Sequence, residues 1–205
     1  GFIDSIAGGG GLISLPTLLA LGLPPQHALG SNKVIALGTG IASTLRYGIS
    51  RSYSLRLVAK LIVGALLAAA LGAWCATLVD PTVLKPIIVI GLAVVGVYVV
   101  LKNRFGIEER PARLHHLFWM ILFTSVIGFY DGFLGPGTGT FYMMGFVLLF
   151  GQKLLTASAN ARVINFATTI GSFLMFASRG YVHFGFVIPG AIAAFIGGLC
   201  GAHFS

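Results

Sequence analysis

One unusual phrase occurs twice in this chain, and its duplication constrains the fold more than any other feature of the sequence. Residues 1–11 read GFIDSIAGGGG and residues 128–139 read GFYDGFLGPGTG, so that Asp4 and Asp131 occupy matching positions. In each copy an acidic residue and a group of glycines interrupt a strongly apolar stretch. A duplicated helix-breaking site within apolar sequence is typical of a membrane transporter built from two halves.

The composition is that of an integral membrane protein. Of the 205 residues, 57% are apolar and 9% are charged, whereas about a quarter of the residues of a soluble domain are charged. A transmembrane barrel would show alternating strands of about ten residues rather than long apolar runs. The sequence therefore predicts an all-α membrane protein. Five apolar runs approach the roughly 20 residues that a spanning helix needs, namely 32–49, 57–79, 84–101, 160–177 and 184–204.

The repeated phrase also predicts the domain organisation, a polytopic bundle of two four-helix repeats with broken helices at the glycine-rich motifs. We expect a first transmembrane repeat at 1–101, a cytoplasmic linker at 102–114 and a second repeat at 115–205. The chain opens inside an apolar segment without an initiator Met. We therefore expect a fragment that lacks part of its first helix and a C-terminal helix.

The basic residues predict which side of the membrane each loop faces. If each apolar run crosses once, nine basic residues share one side and only Lys85 and Lys153 face the other, so the first side is the cytoplasm. We favour these single crossings, which make the halves a parallel duplication. If each broken segment instead turns back, Arg179 moves outside and the halves are inverted. The nine are Arg46, Arg51, Arg56, Lys60, Lys102, Arg104, Arg110, Arg113 and Arg179.

Four charged residues remain within the apolar runs, and they form two matched pairs. Lys33 and Arg162 are equivalent in the repeat, as are Asp4 and Asp131. Since a charge in the bilayer costs at least about 2.5–3.5 kcal/mol, the matching indicates a function. Structural ion pairs between helices, or basic side chains that reach a membrane face, are the alternative. The two acids can equally cap backbone donors exposed at a helix break, or couple transport to protons.

The glycine groups predict a polar cavity that binds an anion. Backbone freed from a helix at membrane depth must be satisfied by protein, water or ligand. New half-helices that start after the glycines would aim their N–H groups and positive dipole ends into this cavity. With Thr39 and Thr168 as further donors, a small oxyanion is the natural occupant. The predicted binding residues are Gly9, Gly10, Gly11, Asn32, Lys33, Gly137, Thr138, Gly139, Arg162 and Asn165.

Other classes of protein fit the sequence poorly. The net charge of +8 follows from basic loops, so we expect no nucleic-acid partner. The glycines are not followed by the Lys-Ser or Lys-Thr of a nucleotide loop. The five histidines are scattered without metal-ligand spacing, and no nucleophile elbow is present. We therefore expect no enzyme activity, no metal and no cofactor.

At this point the motifs resemble one family. The run from Gly1 to Pro16, the tetrapeptide 30–33 and the second motif at 128–139 are similar to the TauE/SafE sulfite exporter family of membrane transporters, over nearly the whole chain. The resemblance implies a multi-pass protein of about eight helices in a bacterial or archaeal plasma (inner) membrane. It also implies movement of a sulfur-containing anion, sulfite or an organosulfonate.

The sequence as a whole thus predicts a secondary transporter that works by alternating access. Its expected partners are a small anionic substrate and the lipid bilayer, and homo-oligomerisation stays open. A passive anion channel would use the same donors, and a membrane scaffold or assembly factor is the third reading. No ATP-binding domain is visible, so the energy would come from an ion gradient, the membrane potential or the substrate gradient.

Overall fold

The structure is a computed structural model that describes residues 1, 2, 4, 10–50, 55–105 and 117–203. Within these ranges it contains helices and no strand, which confirms the all-α prediction. Gly9 and most of the predicted linker lie outside the described residues. The helices are α1 (Gly11–Ala20), α2 (Pro25–Ser50), α3 (Leu55–Leu78), α4 (Pro81–Phe105), α5 (Leu117–Phe133), α6 (Thr138–Leu148), α7 (Leu154–Ser178) and α8 (Phe184–His203).

Local sequence explains several helix boundaries. Pro25 and Pro81 occupy the first positions of α2 and α4, where a missing N–H costs nothing. The Asp80 carboxylate caps α4 by accepting the Thr82 backbone N–H at 2.8 Å and its hydroxyl at 2.6 Å. These two hydrogen bonds hold the pKa of the exposed Asp80 carboxyl below its ordinary value. Gly180 ends α7 with a φ of 76°, a conformation that glycine adopts without strain.

The outside of the bundle is apolar and the inside carries polar side chains. Val63 and Leu67 on α3 are each 62% exposed, and Ile90 and Val94 on α4 are each 63% exposed. The stretches Arg56–Leu78 and Pro81–Leu101 are long and apolar enough to cross a membrane, and shorter apolar helices accompany them. Apolar area of this extent requires a covering such as lipid. Fully buried polar residues include Ser31, Thr124, Asn160, Thr168 and Ser172.

The two ends of the bundle can be named from the residues found there. At one end, called the histidine end, His27 and His183 stack with ring centroids 4.5 Å apart. Gln26 donates to the Val79 carbonyl at 2.7 Å at this same end. Helices α2, α4 and α8 therefore begin at the histidine end, while α3 and α7 finish there. The opposite end, where Arg56 and Lys60 lie exposed at the start of α3, is called the arginine end.

Helices α5 and α6 form a hairpin that enters and leaves at the arginine end. The Tyr142 hydroxyl donates to the Thr124 carbonyl at 2.9 Å. Near the turn the rings of Tyr130 and Phe141 lie 5.5 Å apart, and further from it the ring of Phe123 lies 5.7 Å from that of Phe150, two residues beyond α6. Because residues later in α6 lie beside residues earlier in α5, the two helices are antiparallel. The prediction of a single crossing is therefore wrong for the second broken segment.

This reversal exchanges two basic residues between the ends. Lys153 lies at the arginine end, since Phe150 and Ala157 on either side of it belong to the same core cluster as Val58 near the start of α3. Arg179 is exposed at the histidine end, two residues before Tyr181, whose ring contacts His27. Compared with single crossings, Lys153 takes the place of Arg179 at the arginine end, and Arg179 takes the place of Lys153 at the histidine end. The loop charge asymmetry is unchanged, so it could not reveal the hairpin.

Small residues allow the helices to approach closely. Helix α3 lies along α5 and α7, and α2 lies along α8 and α7. A Cβ on Gly132 of α5 would overlap the Ala69 carbonyl oxygen of α3. A Cβ on Gly38 of α2 would stand 2.3 Å from the Ala191 carbonyl oxygen of α8. Contacts of this kind replace the hydrophobic driving force, which does not act between helices in lipid.

Candidate functional site

Gly11, the last glycine of the first motif, packs against the second glycine-rich motif. A Cβ built on Gly11 would lie 3.4 Å from the Cα of Pro136 and 3.5 Å from Nδ2 of Asn32. Gly11 opens α1, and Pro136 lies two residues before α6 opens at Thr138. The N-termini of both half-helices are therefore neighbours. Their first amide groups have no acceptor within their own helix, although the Thr138 N–H reaches the Gly135 carbonyl of the turn at 3.4 Å. The two positive dipole ends lie together.

The turn between α5 and α6 requires glycine at two positions. Gly135 has a φ of 94° and Gly137 a φ of 80°, both in the left-handed region. A Cβ on Gly135 would also lie 2.9 Å from the Lys33 ammonium nitrogen. A Cβ on Gly137 would lie 2.4 Å from a methyl group of Val95. The second glycine motif therefore fixes the sharp reversal and leaves room for Lys33 beside it.

Lys33 of α2 forms an ion pair with Asp131, which belongs to the second glycine motif. Its Nζ donates to Oδ1 of Asp131 at 3.1 Å and also to the Asp131 carbonyl oxygen. The Thr138 hydroxyl lies 3.0 Å from Oδ1 and shares its single proton between Oδ1 and the Gly135 carbonyl oxygen. The side chains of the pair are only 3% and 4% exposed. The buried pair is neutral as a whole, which is what a low-dielectric site requires.

The other oxygen of Asp131 is not used in the same way. Oδ2 is buried and has no hydrogen-bond partner among the described residues. Asn165 offers a similar acceptor, because its buried Oδ1 also lacks a partner in the described part of the chain. Unsatisfied buried acceptors are uncommon in native proteins and point to a proton, a water or a ligand at that position.

Asp4 holds the first broken motif in shape. Its Oδ1 accepts the backbone N–H of Gly10 at 2.9 Å, immediately before α1 begins. The Ser14 hydroxyl, one turn into α1, donates to the Gly10 carbonyl at 3.1 Å and to Oδ1 of Asn32. The half-helix is therefore tied both to its own acid and to α2. Asp4 has the capping geometry that the sequence offered as one of its two roles.

Three adjoining cavities lie around these residues, and the largest, of about 240 Å³, borders Asp4, Gly11 and Ser14. Of the two that contain Arg162 or Lys33, the larger, of about 50 Å³, lies between α2, α6 and α7 and is lined by Arg162, Thr39 and Thr140 among others. The smaller, of about 30 Å³, is lined by the Lys33–Asp131 pair and by Asn32. Five residues line both and so form the boundary between them, namely Asp4, Ala36, Gly139, Asn165 and Thr169.

Most of the predicted binding residues meet in this region, although three predictions need comment. The hydroxyl of Thr168 donates to the Asn165 carbonyl at 2.9 Å, and its neighbour Thr169 lines the cavities instead. Gly9 lies outside the described residues. Gly10 uses its amide on Asp4. The predicted residues that line one or both cavities are Gly11, Asn32, Lys33, Thr39, Gly137, Thr138, Gly139, Arg162 and Asn165.

Sequence reasoning missed features that helix geometry or tertiary contacts bring out. Thr169 was missed, although it follows the predicted Arg162 and Asn165 at a spacing of three and four residues and so shares their face of α7. The scattered histidines were another omission, since His27 and His183 stack although 156 residues separate them. The His183 N–H donates to the Ser31 hydroxyl at 3.2 Å. No sequence spacing could have predicted this long-range contact.

Comparison with known proteins identifies relatives of the whole chain. The family model described as "Sulfite exporter TauE/SafE" matches residues 1–205. A protein of Haemophilus influenzae named "Probable membrane transporter protein" is 38% identical over 88% of this chain and 71% of its own length. "Probable membrane transporter protein ORF9" of a Sinorhizobium species is 36% identical over 100% of this chain and 78% of its own. "Probable membrane transporter protein YfcA" of Escherichia coli K12 is 38% identical over 98% and 75%. No solved structure matches.

Proposed function

The chain belongs to the sulfite exporter TauE/SafE family, and we propose that within this family it is a secondary transporter of a small sulfur-containing anion. Sulfite or an organosulfonate would cross the plasma membrane by alternating access. The observation that carries the proposal is the meeting of two half-helix N-termini, at Gly11 and Thr138, beside cavities that Lys33 and Arg162 line. Converging amide donors and basic side chains suit an oxyanion.

The cavity that Arg162 lines has room for a small substrate. A buried water needs about 10–15 Å³ of such volume, so about 50 Å³ accommodates a few water-sized groups. Sulfite has four non-hydrogen atoms and fits this limit. In the proposed site the first amides of α1 and α6 hold the oxygens, Lys33 and Arg162 neutralise the charge, and Asn32 and Asn165 orient the ion. Asp4 and Asp131 maintain the broken segments or couple transport to protons.

Matching contacts support two repeats of opposite orientation. A Cβ on Gly128 of α5 would lie 2.5 Å from the Ala65 carbonyl oxygen of α3. In the first half, a Cβ on Gly1 would lie 2.1 Å from the Ala194 carbonyl oxygen of α8. The two contacts are equivalent in the repeat, because Gly1 aligns with Gly128 and Ala65 aligns with Ala194. Since α3 and α8 run in opposite directions, we propose that the halves are inverted rather than parallel, as in many alternating-access transporters.

The unequal burial of Lys33 and Arg162 supports a state open toward one end. Lys33 is 2% exposed, whereas its repeat equivalent Arg162 is half-buried and lines the larger cavity. That cavity extends along Thr39 to Ser43 of α2 and Gly139 to Met143 of α6, both of which run toward the arginine end. We assign this end to the cytoplasm by its basic loops. The structure is then in the cytoplasm-facing conformation. In the outward-facing conformation the two inverted halves would exchange environments.

Flux measurements in proteoliposomes test the function. Uptake of labelled sulfite, sulfate, sulfoacetate and taurine is measured with excess unlabelled anion inside the vesicles. We expect saturable exchange of sulfite or a sulfonate. Arg162→Gln should lower kcat/KM at least tenfold, which is the effect of losing about 1.4 kcal/mol of binding. Lys60→Gln, at an exposed site on α3, serves as the matched control.

The double variant Lys33→Gln/Asp131→Asn tests the other basic residue without leaving a buried charge unpaired. We expect it to fold and to lose most of the exchange. Undiminished exchange by both Arg162→Gln and the double variant would refute the site while leaving a transporter. Unsaturable flux with an electrical conductance would identify a passive channel. No flux of any of the four anions would refute the proposed function.

A further inference from the structure

The two oxygens of the Asp131 carboxylate are engaged very unequally. Oδ1 accepts a hydrogen bond from the Lys33 ammonium at 3.1 Å and shares the single proton of the Thr138 hydroxyl, 3.0 Å away, with the Gly135 carbonyl oxygen. Oδ2 accepts none from the described residues, although Asp131 is only 3% exposed. Two donors on Oδ1 disfavour a proton there, because that oxygen already serves as the acceptor. A proton would therefore bind at Oδ2.

Charge balance suggests that Oδ2 of Asp131 binds a proton when the anion binds. The two basic residues that line these cavities, Lys33 and Arg162, are matched by two acids, Asp131 and Asp4. An anion that binds at Lys33 would therefore leave one negative charge uncompensated in a buried site. Removing an ion from water without compensation costs several kcal/mol. A proton on Oδ2 converts the carboxylate into a neutral acid, and the Lys33 ammonium then balances the anion. Anion binding and proton binding would therefore favour each other, and by linkage the coupling is reciprocal.

We propose that Asp131 is the proton-binding residue of this transporter and that one proton binds at Oδ2 for each anion held by Lys33. This inference rests on the proposed function. The proton comes from water on the side from which the anion enters, and it forms an O–H bond at Oδ2. The Lys33 ammonium weakens its bond to Oδ1 and donates to the anion. On the opposite side the anion and the proton leave together, and the ion pair forms again.

The groups around Asp131 are compatible with this role. On its own helix, the Tyr130 hydroxyl donates to the Pro136 carbonyl at 2.7 Å. On α6, the Tyr142 hydroxyl donates to the Thr124 carbonyl at 2.9 Å. Both phenols are thus committed to main-chain oxygens. On α3, the backbone around Ala69 faces the adjacent Gly132.

The remaining charged and polar neighbours lie on the other walls of the cavities. Helix α2 contributes Lys33, and α7 contributes Asn165 and Thr169 to the cavity that Asp131 lines. Arg162 of α7 lines the adjoining cavity. Asp4 is the other acid at the smaller cavity, but its Oδ1 accepts the Gly10 N–H, as expected of a helix cap. The two repeat-related acids therefore differ in role, with Asp131 as the proton site and Asp4 as the cap.

The test compares the wild type with Asp131→Asn, whose amide has the shape of the protonated acid. Labelled sulfite is used in proteoliposomes with the membrane potential clamped at zero. The exchange rate at equal pH on both sides is measured first and serves as the baseline of each protein, because exchange needs no net proton movement. With acid outside, the wild type should accumulate sulfite relative to the variant by about tenfold for each pH unit of gradient. The acid–base equilibrium of sulfite itself affects both equally and cancels in this ratio.

Two control variants test whether the proton site is specific to Asp131. Asp80→Asn, at the exposed cap of α4, should behave as the wild type. Asp4→Asn should keep the tenfold slope against the pH gradient. Equal accumulation by the wild type and Asp131→Asn would overturn the proposal while leaving the transporter intact. Absence of exchange by the wild type would instead refute the proposed function.

The proposal stays testable if Asp131→Asn does not fold. The wild type alone is then measured across gradients from zero to about two pH units. Accumulation in excess of the sulfite–bisulfite partition, by one decade for each pH unit, supports the proton site. Accumulation equal to that partition overturns it.

Discussion

Replacing Gly132 by alanine should separate α5 from α3 and destabilise the protein. A Cβ at this position would overlap the Ala69 carbonyl oxygen and would lie 2.7 Å from the Ala69 carbonyl carbon and from the Ala73 nitrogen. All three are backbone atoms, so no rotamer change can relieve the overlap. Ordinary contact of a Cβ begins at 3.4 Å, and the two helix axes must therefore move apart by about 1.5 Å at this point, which is overpacking of a closely packed interface.

The structure gives the size of the effect. Overpacking costs about 1–3 kcal/mol, and a clash with rigid backbone belongs in the upper part of that range. For a chain of about 200 residues, 2–3 kcal/mol corresponds to a fall in Tm of about 4–12 °C. The shift would also move the adjacent Asp131 relative to Lys33, so we expect slower sulfite exchange.

Thermal unfolding of the detergent-purified protein measures this loss. Gly96→Ala on α4 is the matched control, because a Cβ there meets nothing within 4 Å. Alanine is also the better helix former by about 1 kcal/mol, so the control should keep or raise the Tm. A Tm for Gly132→Ala equal to that of Gly96→Ala would refute the close helix contact and the position of α5 that follows from it.

Three further predictions concern single contacts. Lys33→Met should lower the free energy of unfolding by about 3–5 kcal/mol, whereas the double variant Lys33→Met/Asp131→Leu should come close to the wild type; equal losses in a denaturant titration would contradict a buried pair. Gly137→Ala should lower the Tm, because alanine is strained at a φ of 80° and its Cβ would contact Val95, and an unchanged Tm would contradict the turn. The hydrogen bonds to Asp80 lower its carboxyl pKa below its value in the unfolded chain. They therefore stabilise the protein above the unfolded pKa, and the stabilisation is lost as pH falls through the folded pKa. The difference in Tm between the wild type and Asp80→Asn should stay constant above about pH 5 and shrink as the pH falls further.

The sequence predicted the components of the site better than their partners. Asp4, Asp131, Lys33 and Arg162 could be identified because each interrupts an apolar run and has a repeat equivalent. The structure pairs Lys33 with Asp131, which is 98 residues away. No periodicity carries information about such a contact. It depends on the direction in which α6 leaves the turn, and the basic loops gave the same asymmetry for either direction.

Helix phase explains the smaller errors. Thr168 and Thr169 are neighbours in sequence but point about 100° apart around α7, and only Thr169 lines the cavities. The repeat alignment selected Thr168 because it matches Thr39. A sequence alignment matches residues by their position along the chain. Whether a residue lines the cavity depends instead on the rotation of α7 about its axis, which is set by the packing of α7 against α3 and α2.

The pairing of Lys33 with Asp131 has a consequence for biosynthesis. Since 98 residues separate the partners, a ribosome that adds about 5–20 residues per second makes Lys33 about 5–20 seconds before Asp131. During this interval the nascent first half holds an uncompensated cation. Its maturation therefore has to wait for the second half, and a chain cut within the linker should be degraded unless the missing part is supplied by co-expression.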